Sequence, residues 1–151
     1  MSQDTLSALA ALAGERLRRS GDTLVTAESC TGGWVAQSIT AIAGSSEWFD
    51  RGFVTYSNEA KQEMLGVSPD TLARHGSVSE QTASEMAAGA LEHSHAGFAV
   101  SITGVAGPTG GSRAKPVGTV CFGWARRADG SVRVETRRFE LNKLVSTTKN
   151  L

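Results

Sequence analysis

Residues 23–33 read TLVTAESCTGG, and this stretch decides the fold that the chain predicts. Its first half, Thr23–Ala27, is short and β-prone, which favours a strand. The strand runs into Glu28–Gly33, a polar turn that ends in two glycines. Apolar residues then recur at helical spacing, at Val35, Ile39 and Ile42. A strand that turns directly into a helix is the building block of an α/β domain.

The other elements follow from the same signals. A first helix is predicted between an N-cap at Asp4 and a stop at Gly21. After the turn, the predicted strands are Gly52–Ser57, Gly97–Ile102, Val117–Ala125 and Ser131–Phe139. One predicted helix runs from an N-cap at Asn58 to Gly66, and a second runs from Ser68 to about Gly76. A third begins at a cap at Ser77 or Ser79, and its apolar face consists of Ala83, Met86, Ala87, Ala90 and Leu91.

This order of elements predicts one α/β domain over residues 1–151. Strands that alternate with helices favour a three-layer α/β/α sandwich with a mixed, mainly parallel sheet. The last two strands, around residues 128–130, are expected to form a C-terminal antiparallel hairpin. Ligands of such sheets bind beyond the carboxyl ends of the strands, so Ser29, Asn58 and Thr103 are expected to meet in one cleft.

Composition excludes several classes of function. The 15 basic and 15 acidic residues cancel and form no long block of one sign, so we expect no nucleic-acid partner. The apolar runs are too short for a spanning helix and the first residues do not resemble a secretory signal, so we expect no membrane partner and a cytoplasmic location. Cys30 and Cys121 stand far apart and form no CxxC pattern, which argues against a metal site.

Ser29 is the candidate nucleophile of the turn. Serine is also a common helix cap, and that structural role is the alternative. The residues that follow favour chemistry, because Cys30, Thr31, Gly32 and Gly33 would present successive backbone N–H groups at a helix N-terminus, where they could bind an oxyanion or a phosphate. A serine beside such donors suits acyl transfer.

Lys61 is the candidate base for Ser29. Its predicted place in the first turn of a helix, together with burial, would lower the lysine pKa and favour the neutral amine. The histidines His75, His93 and His95 lie near helix ends, where capping is the commoner use, and they do not complete a metal site. Tyr56 is expected to end the strand before Lys61, where its hydroxyl could orient the amine or pass a proton, although a core tyrosine is the alternative.

A glycine-rich loop over residues 103–116 is the second candidate for ligand binding. It lacks both the GK[ST] ending of a P-loop and GxGxxG spacing, so it predicts neither an ATP nor a dinucleotide site. Its amides, including that of Gly107, could still cradle a phosphate with help from Arg113 or Lys115, and a surface loop is the alternative.

Five segments in order, TAESCTGG, TYSNEAKQEMLGV, HGSVSEQTASEMAAGA, SITGVAGPTGG and KPVGTVCFG, resemble the CinA C-terminal domain family of nicotinamide-nucleotide amidohydrolases. The resemblance covers about residues 5 to 139. It implies deamidation of a pyridine nucleotide, nicotinamide mononucleotide, in pyridine nucleotide salvage, without a metal or other cofactor. By motif it implies Ser29 as nucleophile, Lys61 as base, Tyr56 as its assistant, and Thr103 and Gly104 as substrate-binding positions.

Two alternatives to this function and one departure from the family remain. The alternatives are a non-catalytic nucleotide-binding or competence-associated protein, and an amidase that uses Cys30, since a helix N-terminus lowers a cysteine pKa. The departure is the tail, residues 140–151, which reads ELNKLVSTTKNL. Family members continue with a last helix at this point, whereas the residues of this tail have low helix propensity. This departure bears on three expectations from the family: a C-terminal packing face, a homo-oligomer and activity.

Overall fold

The structure is a computed structural model, and it describes residues 2–141. The described chain contains five helices and five strands, with a short 3-10 helix at Ser45–Glu47. The helices are α1 (Gln3–Ser20), α2 (Trp34–Thr40), α3 (Asn58–Leu65), α4 (Pro69–His75) and α5 (Glu80–Glu92). The strands are β1 (Leu24–Glu28), β2 (Phe49–Val54), β3 (Phe98–Gly104), β4 (Thr119–Ala128) and β5 (Ser131–Glu140).

The five strands form one mixed sheet in the order β2-β1-β3-β4-β5. The central strand β1 is parallel to both of its neighbours, β2 and β3. The strand β4 runs antiparallel to β3 and to β5, so four of the five strands point the same way. The predicted mixed sheet and its C-terminal antiparallel hairpin are confirmed, whereas the three-layer arrangement stays a prediction.

A two-residue turn closes that hairpin. Asp129 and Gly130 connect β4 to β5 with φ values of 51° and 77°. Two consecutive positive φ angles are what a type I′ turn requires, and its twist matches that of the flanking strands. The Asp-Gly pair therefore sets the register in which Ala128 faces Ser131.

Side chains alternate along β1 and pack against helices of two different segments. Val25 and Ala27 belong to a buried apolar cluster with Met86 and Leu91 of α5. The carboxylate of Glu28 instead hydrogen-bonds to backbone N–H groups at the start of α2. Since successive residues of a strand point to opposite faces, α5 and α2 meet β1 from opposite sides. The carboxyl end of β1 is therefore enclosed on both sides.

Some predicted boundaries are wrong, for local reasons. The strand predicted at Gly52–Ser57 is β2, which ends at Val54 because the chain turns there towards α3. The predicted N-caps at Asp4 and Asn58 are replaced by Ser2 and Ser57, whose hydroxyls accept hydrogen bonds from the amides of Thr5 and Ala60. Of the two serines considered as the cap of α5, Ser79 holds that position.

The helix α2 is also shorter than predicted. It ends at Thr40, so Ile42 lies beyond it, and Ile39 is its buried residue. Of the predicted tail, Glu140 ends β5 and the amide of Leu141 donates to the carbonyl of Gly118. Residues 142–151 lie outside the described residues.

Candidate active site

Ser29 stands immediately after β1, at the turn into α2. Its backbone N–H donates to the carbonyl of Ile102 on β3, at 2.9 Å, so the β1–β3 pairing continues past the strand end. Its carbonyl accepts from the amide of Gly32 at 3.1 Å. Hydrogen bonds on both sides of the residue therefore fix the backbone from which the hydroxyl projects.

Lys61 reaches Ser29 from α3. Its side chain is 1% exposed, and its Nζ lies 2.9 Å from Ser29 Oγ. The same nitrogen lies 3.0 Å from each of two carbonyl oxygens, those of Thr55 and Tyr56, in the segment that connects β2 to α3. The structure thus brings together the predicted nucleophile and the predicted base, which are 32 positions apart in the sequence.

Burial lowers the pKa of Lys61 below its ordinary value of 10.5. The cause is desolvation of the ammonium group, which a smaller interaction with the Cys30 sulfur opposes. This is the direction predicted from sequence. A lysine with a lowered pKa supplies more of the neutral amine near neutral pH, and only the neutral amine can accept a proton.

Tyr56 contributes its backbone where sequence predicted its side chain. Its carbonyl oxygen accepts from Lys61, and it lies 3.4 Å from Ser29 Oγ as an acceptor for the hydroxyl. The side chain is 75% exposed, and the tyrosine hydroxyl is not among the hydrogen-bond partners of Lys61 within residues 2–141. The chain has already left β2 at Val54, so the ring does not point into the core.

Cys30 is half-buried at the turn and lines an apolar groove of about 480 Å³ together with Ile102, Val120 and Phe122. Burial raises the pKa of Cys30, and the nearby Glu28 carboxylate raises it further, against smaller opposing contributions from backbone N–H groups and Lys61. The prediction that the helix N-terminus lowers the pKa of Cys30 is therefore wrong. The apolar groove and the raised pKa both disfavour a thiolate nucleophile at Cys30.

Two of the four predicted amide donors are already engaged. The Gly33 amide donates to Glu28 Oε1 at 3.2 Å, and the Gly32 amide donates to the Ser29 carbonyl. The prediction that these two glycines present free N–H groups to a ligand is therefore wrong, because the turn uses them internally. Within residues 2–141, the amides of Cys30 and Thr31 have no oxygen acceptor and interact with the Cys30 sulfur instead, so they are the remaining candidates for an oxyanion.

Glu28 is the residue of the turn that sequence reasoning missed. It is 1% exposed, and its carboxylate accepts four hydrogen bonds from the Thr31 hydroxyl and from the amides of Gly33, Val35 and Ala36. An acidic residue next to a predicted helix N-terminus was the available signal, since carboxylates stabilise that end of a helix. The two carbonyls that hold Lys61 gave no signal, because every residue has one.

Of the predicted residues of the glycine-rich loop, Thr103 and Gly104 are the last two of β3, and Gly107 and Arg113 lie beyond it. The Thr103 hydroxyl is buried and donates to the carbonyl of Ser77 at 2.7 Å. A Cβ on Gly104 would come within 2.9 Å of the Thr119 carbonyl oxygen, and one on Gly107, where φ is 78°, within 2.4 Å of Val117 Cγ1, so internal packing accounts for glycine at both positions. Asn58 and Arg113 are exposed, and no contact of the described chain joins either of them to Ser29.

Comparison with known proteins identifies the family. The sequence profile of the CinA C-terminal domain matches residues 6–148 of the 151. The chain belongs to the CinA C-terminal domain family. Among solved structures of this family, the competence/damage inducible protein CihA from Agrobacterium tumefaciens superposes with a TM-score of 0.82 at 44% identity, over 93% of this chain and 94% of that one. A CinA superfamily protein from Escherichia coli gives 0.81 at 38% identity, over 92% and 80% of the two chains.

Relatives within the CinA family carry the name of an enzyme. The protein named nicotinamide-nucleotide amidohydrolase PncC from Escherichia coli strain K12 is 58% identical over 136 residues, which is 89% of this chain and 82% of that protein. A protein of the same name from Enterobacter agglomerans is 55% identical over 139 residues, or 92% and 84% of the two chains. Two observations on the described residues accompany these matches: no helix has the length and apolar character to cross a bilayer, and no group of three or more His, Cys, Asp or Glu side chains is placed to hold a metal ion.

Proposed function

We propose that this chain is an amidohydrolase that converts nicotinamide mononucleotide and water to nicotinate mononucleotide and ammonia. One observation carries the proposal: Lys61 Nζ lies 2.9 Å from Ser29 Oγ at a buried position. The 58% identity with a protein named nicotinamide-nucleotide amidohydrolase supports the choice of substrate. The reaction would belong to pyridine nucleotide salvage in the cytoplasm and would need no cofactor.

The surroundings of Lys61 explain how a lysine could act as the base. Carbonyl oxygens only accept hydrogen bonds, so two N–H bonds of Lys61 point at the carbonyls of Thr55 and Tyr56. In the neutral amine, the remaining tetrahedral position is the lone pair, and it points at Ser29 Oγ. The two carbonyls thus direct the lone pair towards the hydroxyl proton, and burial favours the state in which that lone pair exists.

The reaction then follows as two acyl transfers. Lys61 takes the proton of Ser29, the alkoxide attacks the carboxamide carbon, and the amides of Cys30 and Thr31 stabilise the oxyanion of the tetrahedral intermediate. The C–N bond breaks, and Lys61 returns the proton to the departing nitrogen, which leaves as ammonia. A water molecule, deprotonated by Lys61, attacks the resulting ester, and its hydrolysis restores the Ser29 hydroxyl.

The ribose and phosphate of the substrate require binding groups other than the Ser29–Lys61 dyad. Thr103 and Gly104 end β3, which lies next to the strand that precedes Ser29, and Gly107 follows it. Arg113 and Asn58 are exposed side chains, and a guanidinium pairs well with a phosphate. We assign the ribose and phosphate to this side of Ser29, with Arg113 as the phosphate partner.

A substrate panel tests the proposed function. Ammonia release should be measured from nicotinamide mononucleotide, nicotinamide riboside and NAD at equal concentrations. We expect the mononucleotide to give the highest kcat/KM, since removing the phosphate from the riboside removes a charged contact. Equal rates on all three would contradict a dedicated phosphate site. Saturable binding of the mononucleotide without ammonia would instead indicate a non-catalytic binding protein.

A further inference from the structure

Glu28 is buried beside the proposed nucleophile without touching the proposed base. Its Oε1 accepts from the Thr31 hydroxyl at 2.6 Å, from the Val35 amide at 2.9 Å and from the Gly33 amide at 3.2 Å. Its Oε2 accepts from the Ala36 amide at 3.0 Å. Four donors and no cation therefore surround this carboxylate within the described residues.

We propose that Glu28 is a positioning residue for Ser29, an assignment that rests on the proposed function. The four hydrogen bonds tie residue 28 to residues 31–36 and close a loop that contains Ser29 and Cys30. The loop also carries the amides of Cys30 and Thr31, the proposed oxyanion donors. Glu28 thus holds the nucleophile and these donors in one rigid unit against the end of β1.

The base is held by a different part of the molecule from the Glu28 side chain, and its link to residue 28 is the Glu28 backbone carbonyl, which accepts from the Thr55 amide at 2.8 Å. Lys61 belongs to α3, which packs against α5, whereas Glu28 binds the start of α2 on the other side of β1. A change of the Glu28 side chain keeps this backbone contact, so it should move Ser29 and the oxyanion donors together while Lys61 stays in place. Misplacement of reacting groups by about 1 Å can lower a rate on the order of 100-fold.

The donor set requires a carboxylate at this position. A carboxylate accepts at both oxygens, whereas a carboxamide of the same shape has one acceptor oxygen and one NH2 donor group. In Glu28→Gln, the NH2 group would face either the Ala36 amide or the three donors around Oε1, so one set of donors would lose its acceptor. The substitution changes almost no volume, which makes it a specific probe of the hydrogen bonds.

Glu85 offers a matched control. Its carboxylate accepts from the amide of Ser68 at 2.8 Å and from the hydroxyl of Thr71, at the start of α4, and it makes no contact with Ser29 or Lys61. Glu85→Gln therefore removes a similar carboxylate from a helix N-terminus elsewhere in the fold. Both variants lose capping hydrogen bonds, but only Glu28→Gln alters the turn that carries Ser29.

The test compares kcat and KM for ammonia release from nicotinamide mononucleotide, well below the unfolding temperature of each variant. We expect Glu28→Gln to lower kcat on the order of 100-fold with KM changed less than about threefold, and Glu85→Gln to keep the wild-type kcat. Equal kcat values for Glu28→Gln and the wild type would overturn the assignment. An equal loss in both variants would also overturn it, because it would indicate a general effect on stability.

A second pair of variants tests the positioning role of Glu28 if Glu28→Gln does not fold. Thr31→Val removes the hydroxyl that donates to Glu28, and Thr31→Ser keeps it. We expect Thr31→Val to lower kcat by roughly fivefold, as for the loss of one hydrogen bond, and Thr31→Ser to restore it. Equal kcat values in the two variants would overturn the assignment.

A reagent that bypasses the substrate separates this inference from the proposed function. A fluorophosphonate reacts with an activated serine hydroxyl, so its rate of labelling at Ser29 reports the nucleophile directly. We expect this rate to fall in Glu28→Gln and to stay unchanged in Glu85→Gln. If the wild type is labelled but releases no ammonia, the proposed substrate is wrong, while the ratio of labelling rates still tests Glu28.

Discussion

At the scale of single residues, two buried ionisable side chains dominate the site. Lys61 and Glu28 are each 1% exposed, and burial of either group without partners would cost several kcal/mol. Glu28 has four hydrogen-bond donors, whereas Lys61 has two carbonyls and one hydroxyl, all neutral groups. Neutral partners stabilise an ammonium ion less than a carboxylate would, so this environment suits a lysine that must lose its proton.

The position of Tyr56 leads to a prediction about its side chain. The backbone carbonyl of this residue contacts Lys61, while the ring is exposed. We expect Tyr56→Phe to retain a kcat within about threefold of the wild type, because it keeps the carbonyl and removes only the hydroxyl. Steady-state kinetics of ammonia release would measure this. A drop on the order of 100-fold would show that the hydroxyl takes part in proton transfer, as the resemblance implies.

Sequence reasoning found the side chains of Ser29 and Lys61 but missed the groups that position them, the Thr55 carbonyl and Glu28. Ser29 and Lys61 each stand at a junction between a strand and a helix, and the topology of a parallel sheet brings such junctions together. The Thr55 carbonyl could not be found in this way, because backbone direction depends on where β2 ends. Glu28 was missed although an acidic residue beside a predicted helix N-terminus was a signal, because its position at the end of β1 did not show that its side chain faces α2.

At the scale of elements, the approach of α5 to α3 holds Lys61 in place. Gly89 on α5 lies so close to the end of α3 that a Cβ there would come within 1.9 Å of the Leu65 carbonyl oxygen. Leu65 is the last residue of the helix that carries Lys61. The predicted apolar face of α5 is fully buried, yet that face did not reveal how closely the helix approaches its neighbour.

Gly89→Ala should therefore destabilise the protein. The added methyl group would push against backbone, which cannot rotate away, so we expect a loss of at least about 2 kcal/mol in the free energy of unfolding. Urea unfolding followed by tryptophan fluorescence would measure it. Ala88→Gly in the same helix is the control and should cost about 1 kcal/mol from helix propensity alone. A Gly89→Ala protein as stable as the wild type would contradict this packing.

At the scale of the whole molecule, the site joins two halves that meet across β1. The unit of β1, Glu28 and α2 carries Ser29, and the unit of α3 and α5 carries Lys61. The element order and the hairpin could be predicted because the hydrophobic period and the turn residues mark each element. The end of β2 could not, because the turn after Val54 depends on the contact of the Thr55 and Tyr56 carbonyls with Lys61.

The lowered pKa of Lys61 predicts how stability depends on pH. The folded-state pKa lies below the unfolded value of about 10.5, so between these two values the unfolded state binds more protons. The free energy of unfolding contributed by Lys61 should therefore rise with pH across this window. The measurement is the difference in unfolding free energy between the wild type and Lys61→Met at several pH values. A difference that stays flat or falls as pH rises would contradict the pKa direction.

The central claim, that Ser29 and not Cys30 attacks the carboxamide, is tested most directly by trapping the covalent intermediate. Enzyme mixed with nicotinamide mononucleotide is quenched in acid on the millisecond scale and analysed as intact protein by mass spectrometry. The wild type and Cys30→Ala, which keeps the backbone N–H of residue 30, should both carry the acyl adduct, and Ser29→Ala should carry none. An adduct that persists in Ser29→Ala and disappears in Cys30→Ala would contradict the account.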